Sequence, residues 1–98
     1  MTYADFTERA ALISGLRALA DYLETNPNVP SPIYAQVYAF PPEGEWEGMQ
    51  AEIVAVAARL GVTAYRSYGG HVFAARSFGP VEYRAVAIPP RNDHEQSE

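Results

Sequence analysis

The chain has 98 residues, room for one domain, of which 48% are hydrophobic and 19% are charged. This is the balance of a globular protein rather than of a disordered one. The absence of cysteine excludes a disulfide framework and a thiolate metal site. No stretch approaches the ~18 consecutive apolar residues of a membrane span, and residues 1–8 lack the apolar run of a signal peptide. We therefore expect a cytoplasmic protein without a membrane segment.

The net charge of −5 is spread unevenly along the chain. Residues 1–61 hold eight acids and three arginines, whereas residues 62–91 hold four arginines against Glu82 alone. The overall negative charge argues against tight binding to duplex nucleic acid, because phosphate contacts supply most of that affinity. A local positive surface on the last strands is still compatible with this composition.

The first segment is typical of a helix over residues 5–25. Asp5 can cap its N-terminus, and Glu8 three residues later completes a capping box. Leu12, Leu16 and Leu19 recur at helical spacing, which predicts one buried stripe, and we expect Leu16 and Leu19 to be core residues. Pro27 ends the helix, because proline cannot continue the hydrogen-bond ladder.

A strand and a second helix are expected next. Residues 33–40 are rich in Tyr and Val and are followed by two prolines, which predicts a strand. Residues 45–60 predict a helix whose first turn is acidic and whose C-terminus is marked by Gly61. The three neighbouring carboxylates Glu43, Glu45 and Glu47 are better explained by the helix dipole than by a cation site.

Three strands should follow, over residues 62–68, 71–78 and 81–88. Gly69-Gly70 predicts a two-residue hairpin turn with positive φ at both positions. Gly79-Pro80 suits a type II′ turn, which needs glycine first. The predicted fold is a two-layer α+β sandwich in the order α-β-α-β-β-β, with two helices on one face of a four-stranded mixed sheet. Residues 1–90 form the single domain, and residues 91–98 are a polar tail that we expect to be disordered.

Two-residue turns fix the strand registers, and the registers fix the faces of the sheet. The face that we assign to the helices is rich in small apolar residues, and it includes Tyr65. The opposite face mixes charged and apolar residues, a blend typical of an interface. Its candidate partner-binding residues are Arg66, Tyr68, His71, Phe73, Glu82, Arg84 and Val86. With Ile88, the apolar members would form a centre rimmed by arginines, suited to a two-fold dimer.

Known catalytic motifs are absent from the sequence. It contains no phosphate-binding loop, dinucleotide-binding fingerprint, nucleophile elbow or zinc-protease motif. Its two histidines, His71 and His94, have no ligand spacing around them, so we expect no metal site and no cofactor. His71 beside a turn is more simply a structural residue than a general base.

Residues 78–87, preceded by Gly70-His71, resemble a group of small uncharacterised proteins from actinobacteria and their phages. The similarity also takes in residues 16–20 and the junction at residues 60–62. The group carries no known activity, and it implies only an origin in a high-GC bacterium or its phage, which agrees with the absence of lysine.

The expected function is that of a non-enzymatic protein-interaction module that associates with itself, as a dimer, and acts on another protein. The alternative is a nucleic-acid-binding or regulatory protein that uses Arg66, Arg76, Arg84 and Tyr68. An enzyme with a composite site at a subunit interface is the third candidate.

Overall fold

The computed structural model describes residues 2–90; Met1 and the predicted tail, residues 91–98 with His94, lie outside this range. The fold is α+β, with two helices and a four-stranded mixed sheet, as predicted. The elements follow the expected order: α1 (Phe6–Thr25), β1 (Ala35–Ala39), α2 (Trp46–Leu60), β2 (Tyr65–Arg66), β3 (Val72–Phe78) and β4 (Val81–Ala87).

Helix α1 begins with the predicted capping box. The backbone N–H of Glu8 donates to Asp5 Oδ1 at 2.7 Å, and the backbone N–H of Asp5 donates to Glu8 Oε1 at 2.9 Å. These bonds satisfy N–H groups that a helix N-terminus otherwise leaves without partners. At the other end, Asn26 Nδ2 donates to the carbonyl of Tyr22 at 2.9 Å just before Pro27. Local chemistry therefore determines both ends of this helix.

The strand order in the sheet is β1-β4-β3-β2. β2, β3 and β4 form the predicted antiparallel meander, and β1 pairs in parallel with β4. The turn between β3 and β4 is the predicted one: Gly79 has a φ of 63°, and Phe78 pairs with Val81. Because Pro80 cannot take a positive φ, this loop accepts few other geometries.

Helix α2 packs on what we call the inner sheet face, the side that carries Val72, Ala74, Ala85 and Ala87. Its Ile53, Val56 and Ala57 meet these residues in the core. Small side chains on the strands let the helix approach closely. The helix ends at Gly61, which has a φ of 74°, and the N–H of Val62 donates to the carbonyl of Ala57 at 2.9 Å. The N–H of Gly61 also donates to the carbonyl of Ala58 at 3.2 Å, and these two hydrogen bonds form a Schellman motif.

Helix α1 does not cover the sheet, so the prediction that both helices lie on one face is wrong for α1. Within residues 2–90 no other helix or strand contacts it, and it has no buried residue. Leu16 and Leu19 are 43% and 54% exposed, although we expected core residues. The leucine spacing indicates an apolar stripe that packs against another surface, but it does not indicate which surface that is.

β2 is shorter than predicted, and its register differs by one residue. Val62 belongs to the cap of α2, and Ser67 and His71 close a three-residue loop in which the N–H of Ser67 donates to the carbonyl of His71 at 2.7 Å. Of the two glycines only Gly70 has a positive φ, 86°. Tyr65 therefore pairs with Phe73 and Arg66 with Val72. A one-residue slip exchanges faces, so Arg66 lies on the inner face and Tyr65 on the opposite one.

Candidate interaction surface

The outer sheet face is the side opposite α2, and within residues 2–90 no helix lies on it. The alternation of each strand brings to this face side chains from all four strands. They are Gln36 and Tyr38 from β1, Glu82, Arg84 and Val86 from β4, Phe73, Ala75 and Ser77 from β3, and Tyr65 from β2.

The guanidinium of Arg84 lies at the centre of the outer face. Its Cζ atom is 4.2 Å from the centroid of the Phe73 ring, the distance of a cation–π contact. Its Nε donates to Glu82 Oε1 at 3.0 Å, and Nη2 lies 3.4 Å from Glu82 Oε2. Arg84 is thus held in one orientation by a ring beneath it and a carboxylate beside it.

The carboxylate of Glu82 is fixed from its other side as well. Gln36 Nε2 donates to Glu82 Oε1 at 2.8 Å, and the hydroxyl of Tyr38 donates to Gln36 Oε1 at 2.9 Å. The hydrogen bonds from Arg84 and then from Gln36 lower the pKa of Glu82, because both favour the ionised form. A continuous polar network therefore runs from β1 to β4 across the outer face.

Aromatic rings flank this network on both sides. The centroids of Tyr65 and Phe73 are 6.0 Å apart, with a 35° tilt between the rings. Tyr38 stacks on Phe40 with centroids 6.1 Å apart and a 13° angle between the planes. Tyr38 and Tyr65 are 49% and 60% exposed, so each offers a ring face and a hydroxyl to a partner.

The apolar residues predicted for the centre of this face are less exposed than expected. Val86 is only 6% exposed, and Arg84 covers the ring of Phe73. Ile88, the residue after the end of β4, is half exposed. A dimer held by burial of Phe73 and Val86 would therefore gain little new apolar contact.

Four of the predicted partner-binding residues lie together on the outer face, as expected: Phe73, Glu82, Arg84 and Val86. The other three candidate residues lie elsewhere. Arg66 faces α2, where its Nη2 donates to Gln50 Oε1 at 2.7 Å. Tyr68 is fully exposed in the β2–β3 loop. His71 is half-buried at the base of that loop, and its backbone N–H donates to Ser67 Oγ at 3.1 Å.

Gln36, Tyr38 and Tyr65 are members of the surface that the sequence analysis missed. The signal for the first two was the alternation in Ala35–Ala39, where polar and aromatic residues follow small or branched ones. No equivalent signal marked Tyr65, because the length of the β2–β3 loop decides on which face of the sheet Tyr65 lies.

A groove of about 420 Å³ lies elsewhere, between the N-terminal segment, the end of β1 and the first half of α2. Pro41, Pro42, Gly48 and Met49 supply much of its lining, beside Tyr3 and Glu52. The hydroxyl of Tyr3 donates to Glu52 Oε2 at 3.1 Å. Burial, followed by this hydrogen bond, raises the pKa of Tyr3 to about 12. A tyrosine with so high a pKa is a poor general base at neutral pH.

Neither a metal site nor a membrane span is evident in the part of the chain that the structure describes. Residues 2–90 contain no cluster of three or more His, Asp or Glu side chains able to hold a metal ion. Neither of the two helices has the length and apolar character required to cross a bilayer.

The chain matches no protein-family model, and comparisons with curated proteins and with solved structures found no match.

Proposed function

We propose that this chain is a non-enzymatic, cytoplasmic protein-interaction module whose outer sheet face binds a protein partner. The observation that carries the proposal is the fixed orientation of Arg84 between the Phe73 ring and the Glu82 carboxylate. We also propose that the module associates with itself through a surface other than the outer sheet face.

Preorganisation supports partner binding at this face. An exposed arginine normally loses rotamer freedom when a partner binds, at a cost of roughly 0.5–1.5 kcal/mol. Here the network of Gln36, Glu82 and Arg84 has already fixed the side chain. Arginine and tyrosine are also enriched among the residues that carry most of the energy of protein interfaces. The partner that fits has an apolar patch for the tyrosine rings and polar groups around it.

A capture experiment with matched variants tests this proposal. Wild-type chain, Tyr38→Ser/Tyr65→Ser and Tyr22→Ser would each be immobilised and exposed to the lysate of a high-GC actinobacterium, the source that the resemblance implies. Tyr22 is half exposed on α1, so it controls for the loss of a surface ring. A protein held by wild type and by Tyr22→Ser but lost from the double variant would then be purified and titrated.

The expected result is direct binding that Tyr38→Ser/Tyr65→Ser weakens at least tenfold and Arg84→Ala weakens similarly. If every captured protein binds the outer-face variants as tightly as it binds wild type, the outer face is not the recognition surface.

The exposed tyrosines favour one second candidate, binding of single-stranded nucleic acid. Bases can stack on aromatic rings of an open sheet. The charge balance opposes it, because Glu82 neutralises Arg84 and the chain has a net charge of −5. Titration with a fluorescent oligothymidylate at low salt decides between the two. Micromolar binding that is lost in Tyr38→Ser/Tyr65→Ser would favour the nucleic-acid function.

A further inference from the structure

Helix α1 presents an apolar stripe to solvent along its length. Leu12, Ile13, Leu16 and Leu19 are each 41–54% exposed, and Phe6 is 88% exposed. The helix has 20 residues, so it is about 30 Å long. The largest contiguous apolar patch on the surface of a protein often marks an interaction site.

Part of the inner sheet face is uncovered as well. Helix α2 contacts β3 and β4, and within residues 2–90 no helix contacts β1. Val81 and Tyr83 of β4 lie on the inner face beside β1. Val81 is exposed, and Tyr83 is half-buried. Phe78, opposite Val81 on β3, is 60% exposed. The bare part is formed by the start of β1, the start of β4 and the end of β3, since Ala39 and Tyr83 already pack against the core. We call it the open inner patch.

The stripe of α1 and the open inner patch are both apolar, and each chain has one of each. Each chain has one helix stripe without a sheet and one sheet patch without a helix. A two-layer sandwich covers such a patch with a second helix beside the first. Residues 26–34 connect α1 to β1 and contain Pro27, Pro30 and Pro32, which favour an extended and stiff connector. A stiff connector of this kind holds α1 away from its own sheet, where it can contact another molecule.

The area of contact favours an exchange over a simple pairing of two helices. A stripe ~30 Å long and ~10 Å wide covers about 300 Å². If two α1 helices paired only with each other, each copy would bury about that much, well below the ~800 Å² per partner of a standard interface. If each copy also buried its open inner patch under the partner's helix, the buried surface would roughly double to about 600 Å² per copy, the lower end of the range of standard interfaces.

We propose that two copies of this chain exchange α1, so that the helix of each copy packs on the open inner patch of the other. The occupant of the stripe is thus a second copy, in a closed two-fold dimer. The inference rests on the self-association that we propose above, but it does not use the outer sheet face, which stays free for a partner.

Light scattering during size-exclusion chromatography tests whether α1 holds the dimer. Wild type at high micromolar concentration should elute as a dimer. Leu16→Glu places a charge in the stripe and should give a monomer, whereas Ala18→Glu, on the opposite side of α1, should remain dimeric. Tyr38→Ser/Tyr65→Ser should also remain dimeric. A monomeric wild type overturns self-association itself, and a dimeric Leu16→Glu overturns the role of α1.

Disulfide crosslinking then identifies the surface that α1 contacts, because the chain has no cysteine of its own. Chains with Leu12→Cys, Leu16→Cys or Leu19→Cys would each be mixed with a tagged Val81→Cys chain and oxidised. A disulfide forms only where Cα atoms come within about 7 Å. We expect a mixed disulfide dimer for at least one helix position.

Two other crosslinking outcomes would overturn the exchange while leaving self-association intact. If each α1 cysteine chain forms disulfide dimers with itself and none with Val81→Cys, the two helices pair with each other. If the chain that carries both a helix cysteine and Val81→Cys closes into a monomeric species, α1 packs on its own sheet. Non-reducing electrophoresis distinguishes the two.

Discussion

Tyr3 connects the N-terminal segment to α2 through one hydrogen bond. Its hydroxyl donates to Glu52 Oε2, and partial burial together with this bond raises its pKa to about 12. In the unfolded chain a tyrosine titrates near pH 10, roughly its value in model peptides. The folded state therefore holds this proton more tightly than the unfolded state does. The stabilisation is fully present below about pH 10 and is lost as the pH rises through about 12.

Tyr3→Phe should lower the free energy of unfolding by about 1 kcal/mol at neutral pH, because it removes one hydrogen bond. The difference from wild type should shrink between pH 10 and pH 12, where wild-type Tyr3 ionises. Urea melts across this range measure it, with Tyr22→Phe as the exposed control. A difference that stays constant up to pH 12 would contradict a raised pKa for Tyr3.

The two neighbouring glycines of the β2–β3 loop should respond differently to the same substitution. Gly70 has a φ of 86°, and a Cβ there would meet Pro89 only at an ordinary 3.8 Å. Gly70→Ala is therefore expected to cost about 1–2 kcal/mol from backbone strain alone. Gly69 lies outside the left-handed region, with open space around it, so Gly69→Ala should change stability by less than ~0.5 kcal/mol. Urea melts that give equal losses for both variants would contradict the three-residue loop.

At the scale of elements, the two helices have similar sequence patterns and different surroundings. α2 buries Ile53, Val56 and Ala57 against the sheet, whereas α1 buries none of its residues within the single chain. Most helical stability in proteins comes from packing rather than from propensity. A capped helix without a sheet beneath it therefore depends on whatever covers its stripe.

Leucine and isoleucine truncations should separate the two helices. Ile53 is fully buried, so Ile53→Ala should lower the free energy of unfolding of the sheet by about 2–5 kcal/mol. Leu16→Ala, at a concentration low enough for light scattering to show monomers, should lower it by less than ~0.5 kcal/mol. Fluorescence of Trp46, which packs against the core, follows the unfolding in urea. A loss of ~2 kcal/mol for Leu16→Ala in dilute solution would mean that α1 packs on its own sheet.

An element could be predicted from the sequence where its residues permit few backbone geometries, and could not be predicted where they permit several. Gly79-Pro80 permits few turns, so the register of β3 with β4 was predictable, and with it the grouping of Phe73, Glu82, Arg84 and Val86. Gly69-Gly70 permits several loop lengths, so the register of β2 was not predictable. The capping box marked the start of α1, but periodicity could not name a partner for its stripe.

At the scale of the whole molecule, the shape is extended. The radius of gyration is 16.5 Å and the longest dimension is 53 Å, whereas a compact domain of this length has a radius of gyration of about 13 Å. Since the sheet and α2 form a closed core, the extension belongs to α1 and its connector. A chain of this shape exposes more apolar surface than a compact monomer of equal length.

Association that covers this surface should make thermal stability depend on protein concentration. The melting temperature of wild type should rise as the concentration increases, because mass action favours the folded dimer. Ala18→Glu should show the same dependence, and Leu16→Glu should show none. Circular dichroism melts at several concentrations measure this, and a wild-type melting temperature independent of concentration would contradict a dimer linked to folding.

The parallel pairing of β1 with β4 has a consequence for the order of folding. The hydrogen-bonded partners Gln36 and Glu82 are 46 residues apart in the chain, whereas β2, β3 and β4 are joined by tight turns. Closing a long loop costs entropy before its contacts form, so the meander with α2 should form in the transition state and β1 should join afterwards. Val37→Ala would then accelerate unfolding and leave the folding rate almost unchanged, so that Gln36 and Tyr38 are the last members to join the outer-face network.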